Sequence, residues 1–329
     1  MGTRKNKETE YLYASARVRA AENRLIGADK LESAISSKGT NETEALINSL
    51  EGRGDGDKLG AALSAAYAFI AEISPDENIS AFLRYSYDCN NIKAAIKCHF
   101  RAIDCDEMLF SFGSVSIEKI KKMPVEGDFS ALPEHMAKAA EEAFESYAKT
   151  KNPQLIDIIL DKACFADMIE AAKASGEAFA LRLAQEKIDL VNIMMCIRTI
   201  RMGNKFAERS VLKDSLIAGG ELEIKELFDF SESGEAKIAE LLRDTKYAPL
   251  AERLGENEKA SLAELECECD NFYMKTVKST KFLPFGAPIL CSYLIASEYQ
   301  VKNLRIILAG KLAGLSPEKL RQRVRISYV

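Results

Sequence analysis

The stretch that decides the fold is "YSYDCNNIKAAIKC", residues 85–98. Its apolar residues recur at helical spacing, with Ile92 and Ile96 one turn apart, which predicts a helix with a buried face. Asp88 and Asn91 stand three residues apart and therefore share a face of the same helix. Asn is unfavourable inside helices, and an amide beside an apolar stripe needs a hydrogen-bond partner.

Two similar phrases recur downstream, "KIDLVNIMMCIR" at residues 187–198 and "EYQVKNLRIILAGK" at residues 298–311. They place Asn192 and Asn303 in the position of Asn91, at intervals of about 100 and 110 residues. An aliphatic residue follows each Asn. Recurrence at a similar period predicts a triplicated helical domain.

Other features recur in the same order around these helices. Asp189 precedes its Asn by three residues, as Asp88 does, whereas the third copy has Gln300 there. Each Asn has an aromatic residue upstream and a Gly downstream that opens a further helix. The recurring residues are Tyr67, Phe165 and Phe272 upstream; Gly113, Gly220 and Gly314 downstream; and the cations Lys93, Lys97, Arg198 and Arg305 just after the Asn.

Helical periodicity extends over nearly every long segment. Residues 10–27 place Tyr11 and Val18 on one apolar face, and Gly27 is the predicted stop. Another helix is predicted to open at Pro153 and to close near Gly176. Because no segment alternates β-branched and polar residues between hairpin turns, the fold class is predicted to be all-α.

The three copies suggest three similar helical domains, with approximate boundaries at 1–115, 116–220 and 221–329. The N-terminal helix can pack across these repeats. A chain of 329 residues is long enough for this number of domains.

Charge and composition narrow the possible functions. The net charge is −5, from 45 basic and 50 acidic residues spread along the chain, which argues against a nucleic-acid partner. Eight scattered cysteines without CxxC spacing favour free thiols in the cytosol. No uncharged run reaches the roughly 20 apolar residues that a membrane span needs.

No catalytic, cofactor or metal site is predicted. The Gly-rich "GRGDGD" at residues 52–57 lacks the Lys-Ser/Thr ending of a phosphate-binding loop, so we interpret it as a solvated loop. The chain has only two histidines, His99 and His135, and no set of four metal ligands forms around either.

The Asp and Asn pairs have two interpretations. In the structural one, which we favour, the Asn amide bonds the backbone of a neighbouring helix and the Asp caps or orients it. In the functional one, the pairs form a pseudo-threefold set of contacts to a partner. The two roles are compatible.

The sequence also resembles a known family. The resemblance is carried by residues 11–26 with Arg17 and Arg19, by "YDCNNIK", by "IDLVNIMMCIR" with the "LIAGGEL" turn at 216–222, and by residues 284–321. Over these segments the chain resembles the central-stalk subunit of V-type and A-type rotary ATPases, which is the C subunit of prokaryotic complexes and the d subunit of eukaryotic ones.

The resemblance implies a funnel-shaped socket of three pseudo-threefold domains on the cytoplasmic, inner face of the membrane. It implies two partners, the shaft subunits of the stalk and the membrane rotor ring, and no small-molecule substrate. The subunit would be non-catalytic and would transmit torque for proton or sodium transport coupled to ATP hydrolysis or synthesis. The alternatives are a stand-alone helical scaffold and an enzyme without a recognisable motif.

Nine residues are candidates for the repeat contacts or the partner interface, and for each arginine an intramolecular pair with Asp or Glu is the alternative. They are Asp88, Asn91, Asp189, Asn192, Arg198, Asn303, Arg305, Arg17 and Arg19.

Overall fold

The computed structural model describes residues 9–52, 57–203, 206–255 and 260–329, and over these ranges it contains helices but no β-strand. The all-α prediction is therefore confirmed. In chain order the first eight helices are α1 (Leu12–Glu22), α2 (Ala28–Ser36), α3 (Asn41–Asn48), α4 (Lys58–Ile73), α5 (Ala81–Arg101), α6 (Ile117–Glu126), α7 (Glu134–Thr150) and α8 (Pro153–Ala174). The next eight are α9 (Ala178–Arg201), α10 (Phe206–Ser215), α11 (Ile224–Ser231), α12 (Glu235–Arg243), α13 (Ala248–Gly255), α14 (Leu262–Lys278), α15 (Ala287–Leu312) and α16 (Pro317–Arg321).

Side-chain caps explain where several helices begin. The Asn152 side chain accepts from the backbone of the second helical residue of α8, and Pro153 occupies the first helical position, as predicted. Helix α14 begins with a capping box, in which the Ser261 hydroxyl and the Glu264 carboxylate each bind the other's backbone N–H. Helix α8 ends at Ala174, two residues before the predicted stop.

The prediction that Gly27 stops the first helix is wrong. Helix α1 ends at Glu22, and Gly27 directly precedes α2. Beyond this end, the N–H of Ile26 donates to Oε1 of Gln300 at 2.7 Å rather than to a helical carbonyl. A side chain distant in sequence therefore binds the segment that follows α1.

The chain divides into two compact units. The terminal unit combines Met1–Ser80 with Glu258–Val329, and the central unit is Ala81–Asn257. Of the predicted Gly-rich loop, residues 53–56 lie outside the described residues. The three-repeat division stays a prediction.

Long helices buried on several sides form the core of each unit. In the central unit α8 packs against α5, α7 and α9, and in the terminal unit α15 packs against α4, α1 and α14. Helix α15 has 26 residues, and Leu290 and Leu294 on one face and Ile307 on another are all 0% exposed. All eight cysteines are buried free thiols. The three Asn-bearing helices α5, α9 and α15 are thus central elements of their units.

Candidate functional site: the asparagine joints

The Asn91 side chain of α5 binds both backbone groups of a single residue. Its Nδ2 donates to the carbonyl oxygen of Phe110 at 2.9 Å, and the N–H of Phe110 donates to its Oδ1 at 2.8 Å. Asn91 is 0% exposed. We call this arrangement, an Asn amide paired with the N–H and C=O of one downstream residue, an Asn joint.

The same joint occurs on α9. Asn192 donates to the carbonyl of Ile217 at 2.8 Å and accepts from the N–H of Ile217 at 2.9 Å. Asn192 is 0% exposed. The partner lies 25 residues downstream, compared with 19 residues for the joint on α5.

The joint on α15 completes the set within the terminal unit. Asn303 donates to the carbonyl of Arg325 and accepts from the N–H of Arg325, both at 2.9 Å, across 22 residues. The predicted backbone hydrogen bonds of the Asn residues are therefore confirmed. The predicted partner element is wrong, because Phe110, Ile217 and Arg325 lie in non-helical segments rather than in neighbouring helices. Such segments have backbone groups that no helix satisfies.

Asp88 on α5 holds the chain just beyond the first joint. Its carboxylate accepts from the N–H of Ser114 and from the N–H of Val115, both at 3.0 Å, and also from the Ser114 hydroxyl. Gly113 stands immediately before these donors. A Cβ added at Gly113 would lie 2.3 Å from Oδ1 of Asp88, so the close approach requires Gly.

Asp189 on α9 repeats this arrangement. It accepts from the N–H of Glu221 at 3.0 Å and from the N–H of Leu222 at 3.1 Å, directly after Gly220. A Cβ at Gly220 would lie 2.0 Å from Oδ1 of Asp189. The buried hydroxyl of Tyr247 adds a third donor at 2.8 Å. Both aspartates therefore orient the turn that precedes the next helix.

Burial and hydrogen bonding act in opposite directions on these carboxylates. Burial raises the pKa of Asp88, and the hydrogen bonds from Ser114 and Val115 lower it by less. Burial likewise raises the pKa of Asp189, against the bonds from Leu222, Tyr247 and Glu221. A raised pKa means that the ionised carboxylate is held at a cost to folding, and its backbone donors offset that cost in part.

The third copy departs from the other two at Gln300. Its side chain accepts from Ile26 near the N-terminus, not from a turn downstream of its own helix. Gly314, the predicted echo of Gly113 and Gly220, has φ of +72° and no side chain within 4 Å of an added Cβ. The third Asn joint is thus equivalent to the others, while the Asp-and-Gly contact is particular to α5 and α9.

The cations that follow the Asn residues serve different contacts. Lys93 and Lys97 of α5 form ion pairs of 2.5 Å with Asp161 and Asp157 of α8, which tie two core helices together. The exposed Arg305 pairs with Asp57 at 3.0 Å, across a solvated surface where such pairs contribute little. Arg198 is exposed on α9.

Arg19 is an internal brace of the terminal unit. Its Nη1 donates to both carboxylate oxygens of Glu22 at 2.8 and 2.9 Å. Its Nη2 donates to the carbonyls of Thr280 at 2.7 Å and of Leu283 at 2.9 Å. Arg17, two residues earlier, is exposed and bonds the hydroxyl of Tyr13 at 2.5 Å. Of the two arginines, Arg19 therefore forms an intramolecular pair with an acidic residue, which was the alternative to an interface role.

A buried ionic cluster near the third joint was missed in the sequence. The carboxylate of Asp270 on α14 accepts from Tyr299 at 2.9 Å, from Lys302 at 2.5 Å and from Nε of Arg325 at 2.8 Å. Arg325 is therefore held through its backbone by Asn303 and through its side chain by Asp270. In the sequence only Phe272, two positions after Asp270, belongs to a recurring pattern, and no local feature marks Asp270 itself.

Possible metal ligands come together in two places. One group is His135 with Asp167 and Glu170, and the other is residues 104–106. Asp167 accepts from the N–H groups of His135 at 3.0 Å and Met136 at 2.8 Å, so it caps α7. Glu170 bonds the His135 ring at 2.9 Å. In residues 104–106 one carboxylate bonds a lysine of α6. The fold itself therefore accounts for these carboxylates.

Comparison with known families places the chain. The profile of the ATP synthase (C/AC39) subunit family matches residues 14–323. The chain belongs to this family. The C subunit of the A-type ATP synthase of Methanocaldococcus jannaschii is 27% identical, over 94% of this chain and 85% of the relative. The C subunit of the V-type sodium ATPase of Enterococcus hirae is 24% identical, over 97% of this chain and 99% of the relative.

A further relative within the family is the C subunit of the A-type ATP synthase of Thermococcus gammatolerans, which is 24% identical over 96% of this chain and 90% of its own length. The match to the ATP synthase (C/AC39) subunit family includes all three joint asparagines. In the described part of the chain, no helix combines the length and the apolar character that a bilayer crossing requires.

Proposed function

We propose that this family member is the non-catalytic central-stalk subunit of a V/A-type rotary ATPase. In this role it links the rotating shaft to the membrane rotor ring and transmits torque for proton or sodium transport coupled to ATP hydrolysis or synthesis. The observation that carries the proposal is the family match over residues 14–323, together with relatives named as the C subunits of such ATPases that align over most of their length.

The Asn joints support a mechanical role. Each joint ties a long core helix to the segment that follows it through two hydrogen bonds to one residue. Buried, fully paired polar groups in a densely packed interior resist deformation, because any displacement leaves a donor or an acceptor unpaired. A part that passes torque without slip needs this stiffness more than it needs a reactive group.

The proposal includes an architecture. Three repeats, approximately 1–115, 116–220 and 221–329, would form a funnel with pseudo-threefold symmetry, each with one Asn joint in its wall. The tip of the shaft would enter the funnel, and its opposite end would contact the rotor ring on the cytoplasmic, inner face of the membrane. The recurrence of one joint geometry on α5, α9 and α15 supports this division.

The nine candidate residues then separate into two proposed roles, with Arg19 among the bracing residues because of its contacts with Glu22, Thr280 and Leu283. Asp88, Asp189 and the three joint asparagines are at most 1% exposed, which suits bracing rather than contact with a partner. Arg17, Arg198 and Arg305 are exposed and stay candidates for the interface. Such contacts would be polar and charge-assisted, so assembly should weaken as salt concentration rises.

The experiment is to remove this protein from the complete ATPase and restore it. Without the chain, membrane vesicles should lose ATP-driven ion uptake, while the detached catalytic part continues to hydrolyse ATP. Added wild-type chain should restore uptake. A chain that co-purifies with no ATPase component, or a complex that pumps fully without it, would contradict the proposal and favour the stand-alone scaffold.

Joint variants test the mechanical role within the same assay. A chain carrying both Asn192→Ala and Asn303→Ala should restore less ion uptake per ATP hydrolysed than the wild type. Asn90→Ala is the matched control, because Asn90 is exposed on α5 beside Asn91. If the folded double variant restores as much ion uptake per ATP hydrolysed as the wild type, the bracing role is refuted. That result would not bear on whether the chain belongs to the complex.

A further inference from the structure

The terminal unit contains a cavity of about 400 Å³ that no Asn joint uses. Helices α1, α4 and α15 line it, together with Lys30 of α2 and the segment that follows α3. Its volume falls within the range of roughly 300–1,000 Å³ that is typical of small-molecule sites. It is therefore large enough for a compact organic ligand.

The charge of the lining is strongly one-sided. Arg17, Arg24 and Lys30 line the cavity with a single carboxylate, Glu51, which pairs with Arg24. Over the ranges that the structure describes, no carboxylate lies within ion-pair distance of Arg17 or Lys30. Two cations that face one concave site, with no acidic partner among the residues that the structure describes, create a positive potential that attracts an anion.

Arg17 is held in place by uncharged side chains. Its guanidinium bonds the Tyr13 hydroxyl at 2.5 Å and lies 5.5 Å from the centre of the Phe69 ring. These contacts fix the orientation of a planar fork of N–H donors, and such a fork matches the oxygens of a phosphate or a carboxylate. An anion bound there would cost little additional side-chain freedom.

The remaining wall provides room and an apolar surface. Ala62, Ala65 and Ala66 line the α4 side, and their small side chains leave the space open. Phe69 and Tyr293 stand edge to face with ring centres 5.8 Å apart. Aromatic side chains of this kind favour a flat apolar group beside them.

We propose that this cavity binds a small organic anion, with its phosphate or carboxylate on Arg17 and Lys30 and a flat apolar group against Phe69 and Tyr293. The site goes beyond the proposed function, because a mechanical link between shaft and ring requires no ligand. A ligand seated between α1, α4 and α15 would stabilise the terminal unit through mass action.

The test is calorimetric titration of the purified full-length chain in low salt with four probes. Phenyl phosphate and benzoate carry the same ring on different anions, AMP carries a larger ring, and inorganic phosphate has none. We expect one-to-one binding of phenyl phosphate, benzoate or AMP at millimolar concentration or below. Inorganic phosphate should bind more weakly by about tenfold or more, because it lacks the group that the aromatic wall accepts.

Variants connect the binding to the cavity. Lys30→Gln and Arg17→Gln should each weaken binding of the best probe about tenfold or more, since each removes a charge-assisted contact. Ala65→Phe should abolish binding by filling the space. Lys319→Gln removes an exposed cation that does not line the cavity, and it should bind as the wild type does.

Three outcomes would overturn the inference. The first is that none of the three ring-bearing probes binds at millimolar concentration. The second is that inorganic phosphate binds as tightly as phenyl phosphate, which would mean an adventitious ion only. The third is undiminished binding by Ala65→Phe. Circular dichroism establishes that each variant is folded. If another variant does not fold, Lys30→Gln still tests the inference, because Lys30 is at an exposed position.

Discussion

Replacing Asn192 by Ala should be far more damaging than replacing an exposed Asn on a comparable helix. The substitution deletes both hydrogen bonds of the joint, whose donor–acceptor distances are 2.8 and 2.9 Å, at a position that is 0% exposed. The N–H and C=O of Ile217 would then lie in the interior without a partner, because Ala has no polar group. The change leaves the helix itself intact, since Ala is the best helix former.

The magnitude follows from those two stranded backbone groups. A buried donor or acceptor left unsatisfied costs about 1–3 kcal/mol, so the pair costs about 2–6 kcal/mol. The higher helix propensity of Ala offsets about 0.5 kcal/mol of this loss of stability. We therefore expect the free energy of unfolding to fall by about 2–5 kcal/mol. Asn303→Ala should fall in the same range, because its joint has the same geometry.

The assay is denaturant unfolding followed by circular dichroism, with Asn90→Ala as the control. Asn90 is exposed on α5 and directly precedes a joint residue, so its loss should change the free energy of unfolding by no more than about 0.5 kcal/mol. If Asn192→Ala unfolds at the same denaturant concentration as Asn90→Ala, the joint stabilises nothing and the bracing argument is refuted.

Three further predictions concern neighbouring contacts. Gly220→Ala places a Cβ 2.0 Å from a buried carboxylate and should lower the free energy of unfolding by about 1–3 kcal/mol, whereas Gly255→Ala, with open space around its Cβ, should be nearly neutral in the same denaturation assay. Tyr247→Phe should cost about 1.5–3 kcal/mol by thermal unfolding, because it removes a buried donor to an ionised acceptor, and an unchanged melting temperature would contradict this. The hydrogen bond to Glu170 raises the pKa of His135 above 6.5, so its stabilising contribution is complete below pH 6.5 and is lost as pH rises through the raised value. Proton NMR titration should show this pKa falling towards 6.5 in Glu170→Gln, and no change would exclude that contact as the cause.

The sequence alone determined the all-α class and singled out the asparagines of the three joints. Periodicity reveals helices because burial on one face repeats every turn, and the unusual Asn within an apolar stripe is visible in each copy. The same pattern located Gly113 and Gly220, although their purpose was not visible. A local pattern records which positions are constrained, not what constrains them.

Only the tertiary structure decided what those residues bind. The joint partners lie 19, 25 and 22 residues downstream, so no fixed spacing could have named Phe110, Ile217 or Arg325. The distant contacts are less visible still, because Gln300 binds the segment after α1 from 274 residues away. Hydrogen bonds form between groups that packing brings together, and packing depends on the whole chain. The sequence therefore identified the asparagines and the two aspartates that need partners, whereas the fold supplied those partners and revealed the buried Asp270 as well.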